Sequence, residues 1–143
     1  MQTAADVIVF ARKYAVDRRQ LCVGTGELLL GLFSPPVGPA ARALTICGAA
    51  ESAVRSELEK IIGPPAHDGE YDLYCPTVPR VNKAIELANR EAKNRGHAEV
   101  GSEHLLIALI SDDESLATAL LLGLGVDLSV LATTLAKEAG WLR

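Results

Sequence analysis

The feature that most constrains this chain is that it says nearly the same thing twice. At an offset of about 77 residues, Val23-Gly24-Thr25 falls on Val100-Gly101-Ser102, and Leu28-Leu29 falls on Leu105-Leu106. The register then runs on without a gap. Ile8, Ala11, Ala15 and Arg18 meet Ile85, Ala88, Ala92 and Arg95; Leu32, Leu44, Gly48, Leu58 and Gly63 meet Leu109, Leu121, Gly125, Leu135 and Gly140. A single offset held this far marks a tandem duplication. We read one domain over 1–143, with repeat one at 1–63, a linker at 64–77 and repeat two at 78–143.

Each repeat reads as four helices. Apolar residues return at helical spacing over about Thr3 to Arg18, with Val7, Ile8, Ala11, Ala15, Phe10 and Tyr14 on the inner side. Thr25 stands where an N-cap is wanted, before a helix of roughly Gly26 to Phe33. Pro39 suits a first helical position, because its missing N–H would be unpaired there anyway. Helices of about Ala40 to Ile46 and Glu51 to Ile62 close at Gly48 and Gly63. Repeat two follows suit: Pro79 to Arg95, with Val81, Ala84, Ile85, Ala88 and Ala92 inward, then Ser102 to Ile110 with Ser102 as its cap, Glu114 to Leu122, and Leu128 to Ala139. No strand is expected, so the fold class is all-α. Only 4% of the residues are aromatic, so Leu, Ile, Val and Ala must fill the core. Four helices with one apolar stripe each bury little alone. Two such units packed about a pseudo-twofold axis make one core, with a groove at the junction to which the two turns contribute symmetrically.

Several function classes are disfavoured. The formal net charge is −4 and the bases are scattered, so no nucleic-acid footprint is expected. No basic amphipathic stretch suggests a membrane partner. The apolar region from Leu116 to Ala136 is broken by Gly123, Gly125 and Asp127. Cys22, Cys47 and Cys75 are too far apart for a zinc site, and we expect plain thiols, with Cys22 and Cys47 near the core. The N-terminus lacks a signal-peptide pattern, so a cytoplasmic location is expected; as the exposed surface need not be sticky, a monomer is expected too. His97 and His104 have no carboxylate placed to complete a metal site. A structural role for both, hydrogen-bonded near the turn, is expected, with no metal and no cofactor.

The second repeat carries Gly96-His97, then Val100-Gly101-Ser102-Glu103-His104-Leu105-Leu106-Ile107-Ala108-Leu109, and Leu124-Gly125 further on. This resembles the Clp N-terminal domain, the substrate- and adaptor-receiving module of the Hsp100/Clp unfoldases, and within it the ClpC type. Repeat one departs from the pattern. Gly26 stands where the family has Glu, Glu27 where it has His, and Gln20 takes the place of His97. The 143 residues contain no GxxxxGK[ST] phosphate loop, so a non-catalytic, stand-alone copy is expected.

The resemblance implies two candidate sites. In ClpC-type domains each turn forms a pocket for a phosphoarginine mark, the helix N-terminus holding phosphate and a carboxylate holding guanidinium. The matching residues are Val100, Ser102 and Glu103 in repeat two. In repeat one they are Thr25 and, as a poor stand-in for the missing Glu, Glu27, which points about 100° away on its helix. The second site is the adaptor- and cyclic-peptide-binding surface, onto which Arg80, Asn82, Lys83 and Glu86 map. The expected function is a non-catalytic protein- and peptide-binding module of a Clp protease system, partnered by Clp substrates, adaptors or a Clp ATPase. The alternative is a protection protein that sequesters cyclic-peptide antibiotics aimed at ClpC.

Overall fold

The computed structural model describes residues 2–20, 22–63 and 77–141. Those residues form eight helices: α1 (Ala4–Asp17), α2 (Thr25–Gly31), α3 (Pro39–Ile46), α4 (Glu51–Ile62), α5 (Pro79–Asn94), α6 (Ser102–Ser111), α7 (Leu116–Gly123) and α8 (Leu128–Glu138). Among the described residues there is no strand, only isolated bridges at Thr3–Gly101 and Val23–Thr77. Pro39 and Pro79 open their helices as expected. Residues 64–76 of the expected 64–77 linker, with Cys75, lie outside the described residues. No single helix among those described is long and apolar enough to cross a membrane.

Three starts differ from the sequence expectation. Gly24 and Gly101, in extended backbone, are the N-caps of α2 and α6, so Thr25 and Ser102 each sit one position inside the helix. That shift frees both hydroxyls for other partners. α7 starts at Leu116 because Ser115 caps it, accepting a hydrogen bond from the Thr118 amide. At the other end of the chain, Thr3 and Asp6 form a reciprocal capping box that starts α1.

The core is aliphatic. Val7, Ala11, Ala15, Val81 and Ala88 of the two first helices are fully buried with Leu28, Leu29, Leu105 and Leu106, while Ile8, Phe10 and Ile85 lie half-buried at its edge. The two repeats are interleaved as well as juxtaposed. α1 packs on α2, and α5 on α6, within their own repeats, but α3 packs on α8 and α6 of repeat two, and α7 on α2 and α4 of repeat one. Each third helix therefore completes the other repeat's core. The opening segments are exchanged too: the Val100 carbonyl accepts from the Ala4 amide at 2.9 Å, and the Val23 carbonyl from the Val78 amide at 3.0 Å. Cys47 is half-buried, but Cys22 is exposed, contrary to expectation. At that turn it is the next residue, Val23, that points into the core.

Candidate functional site

Both turns before the second helices are built alike. After α5, Gly96 takes φ +72° and lets the His97 amide reach back to the Ala92 carbonyl at 2.9 Å. In repeat one the equivalent residue is Arg19, which holds φ +56°, and the Gln20 amide reaches the Ala15 carbonyl at 2.9 Å. From there the backbone extends to the N-cap glycine and the helix begins.

In repeat two, the buried His104 reaches back as the third residue of α6 and its Nδ1 accepts from the Gly101 amide at 2.9 Å. Its Nε2 lies 2.8 Å from His97 Nδ1. Trp141 stacks on His97 with ring centroids 6.0 Å apart, and the Arg95 guanidinium sits 4.0 Å from the Trp141 centroid. In repeat one the same two positions carry Gln20 and Glu27, and the side-chain amide of Gln20 donates to Glu27 Oε1 at 2.8 Å. One pair of side chains thus replaces the other in one architectural place. Burial pushes the Glu27 carboxyl above the usual carboxylate range, against the opposing pull of its hydrogen bonds.

The residues singled out at the turns are buried or half-buried. Thr25 is buried, and its hydroxyl accepts from the Ala117 amide at 3.1 Å, so it caps α7 of the other repeat. Glu27 is buried with Oε2 unpaired. Gly26 has no space beside it: a Cβ there would lie 2.7 Å from Leu58 Cδ1 and 3.1 Å from Leu116 Cδ2. Ser102 is fully buried, its hydroxyl unpaired and lying beneath Gly38 and Gln2. Half-buried Val100 spends its carbonyl on Ala4. The Glu103 side chain is 17% exposed and folds back over its own turn, 3.7 Å from His104 Nδ1. A carboxylate curled over a helix N-terminus already meets the positive end of the dipole.

The second candidate surface is open. Arg80, Asn82, Lys83 and Glu86 are all exposed on the solvent side of α5. Arg80 is the one held rigidly: Nη1 donates to both Asp112 carboxylate oxygens at 2.8 Å, and Nη2 to Glu114 Oε2 at 2.9 Å. The guanidinium keeps the Asp112 carboxyl below the usual carboxylate range. Asn82 Oδ1 accepts from the Thr77 hydroxyl at 2.6 Å. Between α5 and the α6–α7 turn runs a groove of about 280 Å³, with Ala84, Leu87, Ala108 and Leu109 as an apolar floor. Arg80 and Lys83 stand on one bank, and Ser111, Asp112, Asp113 and Glu114 on the other. A smaller hollow of about 80 Å³ shares Leu87, Ala108 and Ser111 and extends the groove toward Arg90, Glu91 and Asn94. A larger hollow, about 580 Å³, is walled by α4 alone, and one helix face offers no second wall.

This groove belongs to repeat two, and Thr25 is its contribution from repeat one. It is not the symmetric junction expected from the duplication. Its signal in the sequence is the pair Ala84 and Ala108, whose small side chains leave space where α5 and α6 face each other. The equivalent pair in repeat one is Val7 and Gly31, and there the helices touch: a Cβ on Gly31 would lie 2.6 Å from the Val7 carbonyl oxygen. No group of three or more His, Cys, Asp or Glu residues suited to a metal occurs among the described residues.

The likeness of this architecture to known proteins is specific. The family profile described as the Clp repeat (R) N-terminal domain matches residues 2–121 and 77–142. An ATP-dependent Clp protease ATP-binding subunit ClpA homolog from Cyanidium caldarium is 37% identical over 139 residues, 97% of this chain but 16% of the relative's own length. Among solved structures, the N-terminal domain of ClpD from Arabidopsis thaliana superposes with a TM-score of 0.75 at 21% identity, covering 94% of this chain and 92% of that one. A complex of the ClpV N-domain with VipB peptide superposes at 0.71 and 17% identity, over 96% and 84%.

Proposed function

Because the chain belongs to the Clp repeat N-terminal domain family, we propose that it is a non-catalytic module that binds segments of other proteins, substrates or adaptors of a Clp unfoldase, in the groove between α5 and the α6–α7 turn. The observation that carries this reading is the groove itself. It joins an apolar floor to two charged banks, the mix by which a site grips side chains and orients a backbone. The peptide complex of the ClpV N-domain supports the class of ligand. Arg80, pinned between Asp112 and Glu114, gives the groove a wall fixed before binding, which lowers the ordering cost of association.

A random peptide library displayed on phage tests the proposal. Enriched peptides are expected to bind the protein with micromolar affinity. They should lose at least about tenfold in Ser111→Trp, which places a bulky ring over the floor from an exposed position, and several-fold in Lys83→Glu. Equal binding by the wild type and both variants would exclude the groove as the binding site.

A narrower ligand, phosphoarginine at the α6 turn, is supported by the unpaired Ser102 hydroxyl and the neighbouring Glu103. Repeat one offers no second pocket, since Leu58 and Leu116 fill the space beside Gly26. Calorimetric titration with free phosphoarginine should therefore give a single site, abolished by Glu103→Ala; no heat of binding would confine recognition to the groove.

A further inference from the structure

The rings of buried His104 and half-buried His97 accept only one arrangement of protons. The Gly101 amide donates to His104 Nδ1, so that nitrogen must carry a lone pair and the proton must sit on Nε2. That proton points at His97 Nδ1, 2.8 Å away, so His97 carries its own proton on Nε2. A proton added to His104 Nδ1 meets the Gly101 N–H, and one added to His97 Nδ1 meets the His104 Nε2–H; either sets N–H against N–H and breaks the chain of hydrogen bonds. What that chain holds is the N-cap of α6, and this same stretch is tied to repeat one: Gly101 bridges Thr3, and the Val100 carbonyl accepts from Ala4.

From this geometry we infer that the His97–His104 pair is a pH-sensitive latch, which holds the α6 turn against the start of α1 when neutral and releases it on protonation in mild acid. Burial is the main reason His104 resists a proton and is held below its ordinary value of 6.5. The charged groups that bear on it are Glu103 beside it on α6, which favours protonation, and His97, Arg95 and Glu91 at the end of α5. Of these, His97 and Arg95 oppose protonation and Glu91 favours it. The end of α8 adds the uncharged indole of Trp141. A folded pKa below the unfolded one means that the latched state is fully favoured above 6.5. Its advantage falls by up to tenfold for each pH unit below that, until the folded value is reached. The repeat-one turn does not share the weakness. The folded-state pKa of Glu27 is raised, so its contribution is retained, not lost, as pH falls.

Repeat one supplies the test. The double variant His97→Gln/His104→Glu writes the Gln20–Glu27 pair into repeat two, and a Glu as third helical residue can take the Gly101 amide as His104 does. Amide hydrogen-exchange protection at Ala4 and Gly101, corrected for intrinsic rates, should fall in the wild type by up to about fivefold between about pH 6.5 and 5.5, and stay level in the double variant. Imidazole nitrogen shifts at neutral pH should report His104 protonated on Nε2. If the double variant does not fold, those shifts and wild-type exchange still decide. Protection unchanged down to about pH 5.5, or a His104 proton on Nδ1, overturns the latch.

Discussion

Restoring the missing family glutamate, Gly26→Glu, is expected to lower the stability of the protein by about 3–5 kcal/mol and not to create a second ligand pocket. The change would gain roughly 0.5–1 kcal/mol of helix propensity over glycine. Two larger costs oppose that gain. The new Cβ would meet Leu58 Cδ1 at 2.7 Å, and Leu58 is itself fully buried. The carboxylate beyond it would leave a buried position walled by Leu58 and Leu116, and burying a charge costs several kcal/mol even after relaxation. Thermal unfolding should show a melting temperature lower by roughly 6–20 °C, given roughly 2–4 °C per kcal/mol at this size. Gly26→Ala separates the steric cost from the electrostatic one. It keeps only the contacts with the side-chain ends of Leu58 and Leu116, which can move, and should stay within about 1 kcal/mol of wild type. A Gly26→Glu protein of undiminished stability that binds phosphoarginine at two sites would refute this packing of repeat one.

Gly31→Ala is the second large effect, and its sign is where sequence and structure disagree. Inside a helix, alanine exceeds glycine by about 1 kcal/mol, so the sequence alone predicts a gain. In the fold a Cβ at Gly31 would lie 2.6 Å from the Val7 carbonyl oxygen and 3.1 Å from Val7 Cγ1. Backbone cannot swing aside as a side chain does, so α1 and α2 must part along their main contact. Overpacking of this kind costs about 3 kcal/mol, leaving a net loss of about 2 kcal/mol, or roughly 6 °C in melting temperature. A chemical-denaturation midpoint at or above that of the wild type would show that α1 and α2 do not meet here so closely.

The helices were legible because their signals are local. Pro39 and Pro79 mark starts, Gly63 marks an end, and the alanine stripes of α1 and α5 repeat at helical spacing. The shared offset then made the doubled arrangement legible as well. What it left open is which partner each third helix takes. The apolar faces of α3 and α7 can be buried against either repeat, and no local pattern decides between them. The Thr25–Ala117 hydrogen bond, spanning 92 residues, is the kind of contact that does decide. For the same reason Thr25 read as the cap of its own helix, whereas it serves the opposite repeat.

The site was legible in part. Arg80, Asn82, Lys83 and Glu86 fall on the outer face because α5 is strongly amphipathic, a property of its sequence. The groove beside them depends on a tertiary detail: Ala84 and Ala108 face each other where repeat one has Val7 and Gly31. The correspondence of His97 and His104 with Gln20 and Glu27 could be read from the offset, but not that each pair is hydrogen-bonded. Trp141 gave no sign of its role, because it joins the histidines only after α8 has crossed back over α6.

The most direct measurement is an amide NMR titration of the full chain with one peptide enriched from the phage library. Binding in the groove predicts that the largest shifts fall on Lys83, Ala84, Leu87, Ala108 and Ser111 and vanish in Ser111→Trp, with the α6 turn at Gly101 to Glu103 little changed. Shifts clustered at that turn, or on α4, with the groove residues silent would contradict it.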